Sequence, residues 1–344
     1  MIRESIAKLV DRINLTEPEM ETAMDEIMSG IATPAQIGSF ITALRLKGET
    51  VGEIAGAARV MRKKATKVNI SPSGLKNGII LDVVGTGGDG AKSFNVSTAT
   101  AFVTAGAGIT VAKHGNRAVS SQCGAADVLE NLGVNLGINS RDVEKCINKT
   151  GIGFLFAPLF HGAMKYAAGP RKEIGIRSVF NLLGPLTNPA GATVLLLGVY
   201  NMNLTEKIAR VLNRLGIKEA FVVCGVGGLD EISISGFTKV SRVSNRTVST
   251  FDITPEEFGI PRVSLKEIKG GDAAQNAQII KDIFDGKRGA KRDMVLINAS
   301  AAFVAAGYAR DFKEGILLGE KVIDSGRAKE KLAELIRFTS SLQG

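Results

Sequence analysis

Apolar positions in the first 66 residues recur at helical spacing, as at Ile37, Phe40, Ile41 and Leu44, so they gather on one helix face. Three such runs open on a reciprocal cap: Thr16-x-x-Glu19, Thr33-x-x-Gln36 with Pro34 at the first helical position, and Thr50-x-x-Glu53. Gly48 is placed to end the second of these helices. Pro72, Gly74 and Gly78 then mark residues 67–78 as a linker.

From residue 79 the rhythm changes to short apolar runs alternating with amphipathic stretches. Strands are predicted at 79–84, 109–113, 153–157, 193–199, 219–224 and 294–298, and helices at 97–106, 122–132, 140–150, 204–215, 272–285 and 312–325. Residues 238–253 alternate polar and apolar and predict a peripheral hairpin. Strands alternating with helices imply an α/β fold whose mostly parallel central sheet is flanked by helices. The expected division is a small N-terminal helical domain, 1–72, and a large α/β domain, 73–344.

The run Ile79–Val84 has Asp82 as its one polar residue, which suits a strand buried on both faces. Gly85-Thr86-Gly87-Gly88-Asp89-Gly90 follows, and its glycines let backbone N–H groups converge on an anion. Asn95-Val96-Ser97-Thr98 then leads into a small-residue helix. Strand, glycine loop and helix N-terminus together predict a phosphate site, against the plainer reading of a surface loop. The pattern is neither a Walker A loop nor a dinucleotide fingerprint. The next strand, Ile109–Ala112, is expected to deliver Lys113-His114-Gly115-Asn116-Arg117 as a loop at the same sheet edge. Ligands of open α/β sheets lie there, beyond the strands' carboxyl ends.

Composition narrows the classes. Hydrophobic residues make up 44% and charged residues 22%, as in ordinary globular chains, and no apolar run has membrane-spanning length. The start, Met1-Ile2-Arg3-Glu4-Ser5, lacks a signal peptide's apolar core, so a cytoplasmic location is expected. Cys123, Cys146 and Cys224 have neither disulfide-framework nor metal-ligand spacing. A net charge of +9 fits small polyanionic substrates better than nucleic acid, because the cations are dispersed and the chain has three Tyr and no Trp.

Three further stretches could carry chemistry. Ser120-Ser121-Gln122-Cys123-Gly124-Ala125-Ala126-Asp127 reads as helix capping or as phosphate contact. Gly169-Pro170-Arg171-Lys172-Glu173-Ile174-Gly175-Ile176-Arg177 is a solvated basic turn or a carboxylate grip. Asp230-Glu231, just past a predicted strand, is plain surface or a pair of Mg²⁺ ligands beside a polyphosphate.

Taken together, GTGGD at 85–89, NVST at 95–98, KHGNRAVSS at 113–121, GPRKEIGIR at 169–177, FNLLGPLTNPA at 180–190 and DE at 230–231 resemble the anthranilate phosphoribosyltransferase family, over essentially the whole chain. That resemblance implies transfer of the phosphoribosyl group of 5-phosphoribosyl 1-diphosphate (PRPP) to the amine of anthranilate, a step of tryptophan biosynthesis. It implies that helices at about 160–185 complete the small domain and that the chain is a homodimer; it also allows a glutamine amidotransferase partner. Gly85, Gly88, Asp89, Ser93, Asn95, Val96, Ser97 and Thr98 would hold the sugar diphosphate. Lys113, His114, Gly115, Asn116, Arg117, Ala118, Val119, Ser120, Ser121 and Ala125 would line the phosphate cradle. Ser97, Asp230 and Glu231 would bind Mg²⁺, and Gly85, Asn116 and Arg171 would face anthranilate. The family commonly has Lys-Ser-Gly-Ser or Lys-Ser-Gly-Ala where this chain has Gln122-Cys123-Gly124-Ala125, so contacts there would rest on backbone donors.

The implied reaction is displacement at the anomeric carbon, with an activated leaving group and no protein nucleophile. Lys113, Arg171 and bound Mg²⁺ would stabilise the transition state. His114 is expected to orient anthranilate or the loop, and His161 to be structural. Two rivals remain at this stage. A pyrimidine nucleoside phosphorylase commonly has extra residues within its glycine loop, and a nucleic-acid-binding relative could dispense with the acidic pair and Arg171.

Overall fold

A computed structural model describes residues 1–71, 75, 78–88, 90, 93–118 and 123–342. The chain opens with α1 (Ile2–Val10), α2 (Glu17–Met28), α3 (Pro34–Lys47) and α4 (Val51–Lys64). The expected caps are present: Thr16, Thr33 and Thr50 each accept from the backbone N–H three residues on, and Glu19, Gln36 and Glu53 bond back. Glu53 goes further. It is fully buried and accepts from Lys47 Nζ at 2.9 Å, Thr50 N at 2.8 Å and Leu15 N at 2.9 Å. One carboxylate thus ties three segments of the helical unit together.

The remaining elements are β1 (Leu81–Gly85), α5 (Val96–Gly106), β2 (Val111–Gly115), α6 (Ala125–Asn131), α7 (Ser140–Thr150), β3 (Ile152–Phe156), α8 (Ala157–Phe160), α9 (Lys165–Ile174), α10 (Phe180–Leu183), β4 (Val194–Gly198), α11 (Leu204–Arg214), β5 (Glu219–Gly225), β6 (Thr238–Ser244), β7 (Thr247–Ile253), α12 (Ala273–Phe284), α13 (Ala290–Ala305), α14 (Phe312–Asp324) and α15 (Arg327–Ser340). Among the described residues the strands form one sheet, ordered β3-β2-β1-β4-β5-β6-β7. The first five pair in parallel, and β6 and β7 return antiparallel as the expected hairpin. The strand order reverses between β1 and β4, so a crevice opens there at the carboxyl ends.

Side chains alternate across the sheet. Leu81, Val83, Val111, Leu196 and Phe221 join a core with α5, α13 and α15. Ile80, Val84, Ala112, Leu195 and Val222 join a second core that runs on into α2, α3 and α4. Helix α9 packs against α2 and α3, and α10 against α4. No helix among the described residues is long and apolar enough to cross a membrane.

Two expectations need correction. Residues 294–298 are not a strand but the interior of α13. Met294-Val295-Leu296-Ile297 has a strand's composition, yet it belongs to a longer alanine-rich run buried on every side, against α5, α14, β4 and β5. A helix enclosed all round loses the polar stripe that would betray its period. His114 and Gly115 lie within β2 rather than in a loop beyond the predicted strand 109–113, because the parallel ladder with β3 continues to Gly115↔Phe156.

Removing Glu53 would leave the buried Lys47 ammonium with only the neutral acceptors Asn14 Oδ1 and Gly48 O, and would take from the Leu15 N–H its carboxylate acceptor. Glu53→Ala is expected to lower unfolding stability by about 3 kcal/mol in urea titrations followed by circular dichroism, with Glu53→Gln milder. A loss below about 1 kcal/mol would show that the carboxylate does not carry this junction.

Candidate active site

The crevice is a cleft of about 380 Å³ where the carboxyl ends of β1, β2, β4 and β5 meet α5, α9 and α10. Its floor is built around Asp230 and Glu231, which follow β5. A Cβ on Gly198, at the end of β4, would lie 1.6 Å from the Asp230 carbonyl oxygen, so the acidic segment passes β4 where no larger residue fits. Asp230 Oδ2 accepts from Gly87 N at 2.8 Å, and Glu231 Oε1 from Ser97 N at 3.1 Å. The second bond sets a carboxylate on the first turn of α5, where the helix dipole favours negative charge.

Lys113 crosses beneath the same floor. Its buried Nζ donates to Val83 O at 2.7 Å and to Ser97 Oγ at 3.2 Å. Burial holds its pKa below the usual lysine value, while Asp82, Glu231 and Asp230 act in the opposite direction. Behind it, the fully buried Asp82 accepts from His114 N at 3.1 Å and Asn188 Nδ2 at 2.7 Å; Asn188 also donates to Ala112 O at 2.8 Å. Burial pushes Asp82 up to about 6, against the pull of Asn188 and Lys113. This network pins the end of β2 to β1.

On the other wall stands His114, and the buried His161 lies behind it, outside the cleft lining, with ring centroids 5.1 Å apart. Burial is the main reason that His114 is held down at about 3 and His161 at about 4. The neighbouring His161 lowers His114 further, and a hydrogen bond to the Gly184 backbone opposes the shift. Both are neutral at pH 7, and each Nε2 lacks a hydrogen-bond partner among the described residues. Arg171, from α9, lies over the Phe180 ring at 5.1 Å, with burial lowering its pKa.

Of the expected site residues, Gly85, Gly88, Ser93, Asn95, Val96, Ser97, Lys113, His114, Gly115, Asn116, Arg117, Ala118, Ala125, Arg171, Asp230 and Glu231 all line this cleft. Thr98 does not; it is fully buried behind the first turn of α5. Asp89, Val119, Ser120 and Ser121, with Gln122, lie outside the described residues. Two placements differ from a simple cradle. Arg117 is turned toward α6, with Nη1 at 3.1 Å from Asp127 and 2.5 Å from Glu130. The Ala118 and Gly124 N–H groups both donate to Asp127 Oδ2, at 3.0 and 2.8 Å, so these two backbone donors already serve the loop itself.

Arg177 was not singled out by sequence. It donates to Gly88 O and lies 4.2 Å from the Tyr200 ring centroid, bridging the segment after α9 to the glycine loop. Its place beside Arg171 in one glycine-bounded motif is the signal that could have found it.

The donor set fits a hard divalent cation. Two carboxylates and the Ser97 hydroxyl meet on one wall, and among the described residues no cluster of three or more His, Cys, Asp or Glu competes with them. Such a set would leave half of a six-coordinate shell to water and phosphate oxygens.

Residues 77–329 match the model of the glycosyl transferase family, a/b domain, and residues 3–65 that family's helical bundle domain. The chain is 56% identical to an anthranilate phosphoribosyltransferase of Geobacter sulfurreducens, over 99% of this chain and 100% of that protein. The chain belongs to the anthranilate phosphoribosyltransferase family. A solved anthranilate phosphoribosyltransferase from Thermus thermophilus superposes with a TM-score of 0.91 at 40% identity, covering 98% of this chain and 99% of that one. The Saccharomyces cerevisiae anthranilate phosphoribosyltransferase solved in complex with PRPP and Mg gives 0.89 at 32% identity, over 99% and 98% of the two chains. The expected fold and family are therefore both borne out.

The imidazole pair sets a pH dependence. An unfolded histidine takes up a proton near pH 6.5, whereas His161 and His114 resist it down to about 4 and 3. The unfolded state then binds more protons, so the imidazoles' contribution to stability is lost as pH is lowered from about 6.5 to 4. Asp82, raised to about 6, contributes with the opposite sign as pH falls from about 6 toward 4. Comparing wild type with His161→Gln isolates the imidazole: the variant's melting temperature should fall less steeply over that window. Identical slopes would mean that His161 is not held neutral.

Proposed function

We infer that this chain transfers the phosphoribosyl group of PRPP to the anthranilate amine, releasing diphosphate in L-tryptophan biosynthesis. The observation that carries the reading is the meeting, in one cleft, of a glycine loop, a helix N-terminus, Lys113 and two carboxylates, with Arg171 and Phe180 on the opposite wall. One half suits a diphosphate, the other a planar aromatic acid.

In the proposed mechanism, the α5 N-terminus and Lys113 bind the diphosphate and stabilise the charge that grows on it as the anomeric C–O bond breaks. Ser97, Asp230 and Glu231 would hold Mg²⁺, which supplies Lewis-acid charge neutralisation to the leaving group. Arg171 pairs with the anthranilate carboxylate, and Asn116 and Gly85 set the ring so that the amine faces the anomeric carbon. The new C–N bond forms as the C–O bond breaks, and the nitrogen sheds its extra proton to solvent. His114, with an imidazole pKa of about 3, is a poor base, so its unpartnered Nε2 serves to orient anthranilate. Asp89, Ser120 and Ser121 belong with the diphosphate half of this reading.

The small domain is proposed as residues 1–72 completed by α9 and α10, whose packing on α2, α3 and α4 supports the division. A cytoplasmic homodimer is proposed. Val10, Ile13 and Leu46 are exposed apolar residues near the ends of α1 and α3, brought together where Lys47 Nζ donates to Asn14 Oδ1. They support a dimer face on the helical unit. Sedimentation velocity should find a dimer in the wild type and a monomer in Val10→Glu/Leu46→Glu; a monomeric wild type would overturn this assignment.

Anthranilate fluorescence decay with PRPP and Mg²⁺ tests the reaction. Asp230→Asn/Glu231→Gln should slow it at least about 10²-fold, and Arg171→Ala should raise the anthranilate KM about tenfold or more. Folded wild-type protein that leaves anthranilate unchanged would refute the transferase reading, and undiminished decay in the double variant would refute the metal assignment alone.

A further inference from the structure

The acidic pair must keep its place before any metal neutralises it, and short-range bonds hold only its flanks, the farther downstream one being Ser233 N to Thr238 Oγ1 at 2.8 Å. Upstream, Leu229 O accepts from Gly225 N at 2.7 Å. Downstream, the chain is gripped by a residue far away in sequence. Asn298, in the interior of α13 and fully buried, accepts from Ile232 N at 3.0 Å through Oδ1 and donates to Ile232 O at 3.0 Å through Nδ2. The same Nδ2 donates to Met294 O one helical turn back, at 2.9 Å, which fixes the side-chain amide on its own helix.

An asparagine in a helix interior is unfavourable for the helix and costly to bury unless its amide is satisfied. Here all three hydrogen bonds are made, and two go to the residue that follows Glu231. Because the Ile232 N–H belongs to the peptide unit that begins at Glu231, bonding it fixes that peptide plane and hence the direction in which the Glu231 side chain leaves the backbone. Helix α13 also packs against α5, whose Ser97 N–H donates to Glu231 Oε1. One helix therefore touches both the acidic stretch and the helix whose first turn the acids face.

We propose that Asn298 is a positioning residue for the catalytic carboxylates: its buried amide brackets Ile232 and holds Asp230 and Glu231 in register with Ser97. This rests on the reading of the acids as Mg²⁺ ligands. Groups that orient metal ligands without touching the metal are commonly worth 10- to 100-fold in metal affinity or activity. The side chain touches neither substrate, so its loss should appear in metal dependence rather than in recognition of the aromatic acid.

The test measures Asn298→Ala in two ways. In the assay, the Mg²⁺ concentration for half-maximal rate should rise about tenfold while the anthranilate KM stays within about twofold. Without anthranilate, Mn²⁺ binding to protein plus PRPP, followed by electron paramagnetic resonance, should weaken by a similar factor. Wild-type metal dependence in the folded variant would overturn the proposal, as would equal shifts in metal and anthranilate constants, which would indicate general loosening. Should the variant not fold, amide exchange in the wild type decides. An Ile232 N–H that exchanges only through global unfolding supports the bracket, and one that exchanges as fast as exposed loop amides overturns it. Asp230→Asn is the control on the underlying reading. Undiminished Mn²⁺ binding there overturns the metal role of the pair and this inference with it. Diminished binding there, with wild-type binding in Asn298→Ala, overturns the role of Asn298 alone.

Discussion

The site depends on two carboxylates held by backbone N–H groups of two different segments. Gly87 gives its N–H to Asp230 and Ser97 gives its N–H to Glu231, so the glycine loop and the first turn of α5 are both referred to one short acidic stretch. Lys113 and the groups that support it are placed relative to that junction. Lys113 reaches Ser97 from below, and the Asp82–Asn188 network fixes the strand that carries Lys113. The close approach of Asp230 to Gly198 makes the arrangement sterically exclusive as well as electrostatically favourable.

Charge balance explains why the arrangement tolerates buried ions. The Lys113 ammonium is out of water, but Asp82, Asp230 and Glu231 surround it and offset part of the desolvation cost. The buried imidazoles of His114, on the other wall, and His161 behind it solve the same problem by remaining neutral. The two halves of the cleft therefore differ in kind. One is an ionic frame suited to a polyanion, and the other sets neutral imidazole beside two guanidiniums that lie over aromatic rings, Arg171 on Phe180 and Arg177 on Tyr200.

Much of this was legible in the sequence where local rules and tertiary context agree. The three capping boxes, the buried run before Gly85 and the hairpin at 238–253 each follow from short-range chemistry, and each appears as read. Residues 294–298 misled because burial on all sides erases periodicity, leaving only a β-branched composition to judge by. His114 was placed one element too late because its polarity resembles a loop, whereas a parallel ladder accepts a polar side chain whose ring is enclosed. Gly198, Arg177 and Asn298 act on parts of the chain distant in sequence, by close approach or by bonds to backbone atoms. Nothing in their local pattern records those partners.

The hairpin that ends the sheet has a consequence for how the molecule meets other copies of itself. By turning antiparallel after β5, the chain stops the parallel sheet from growing and leaves β7 as an edge strand. An open edge is a template for intermolecular strand pairing, the first step of amyloid-like association. This edge carries Thr247, Ser249, Thr250 and Asp252, all exposed, so a docking strand would have to strip water from hydroxyls and a carboxylate. The sheet thus reaches an aqueous border that discourages polymerisation, while its apolar strands stay enclosed in the interior.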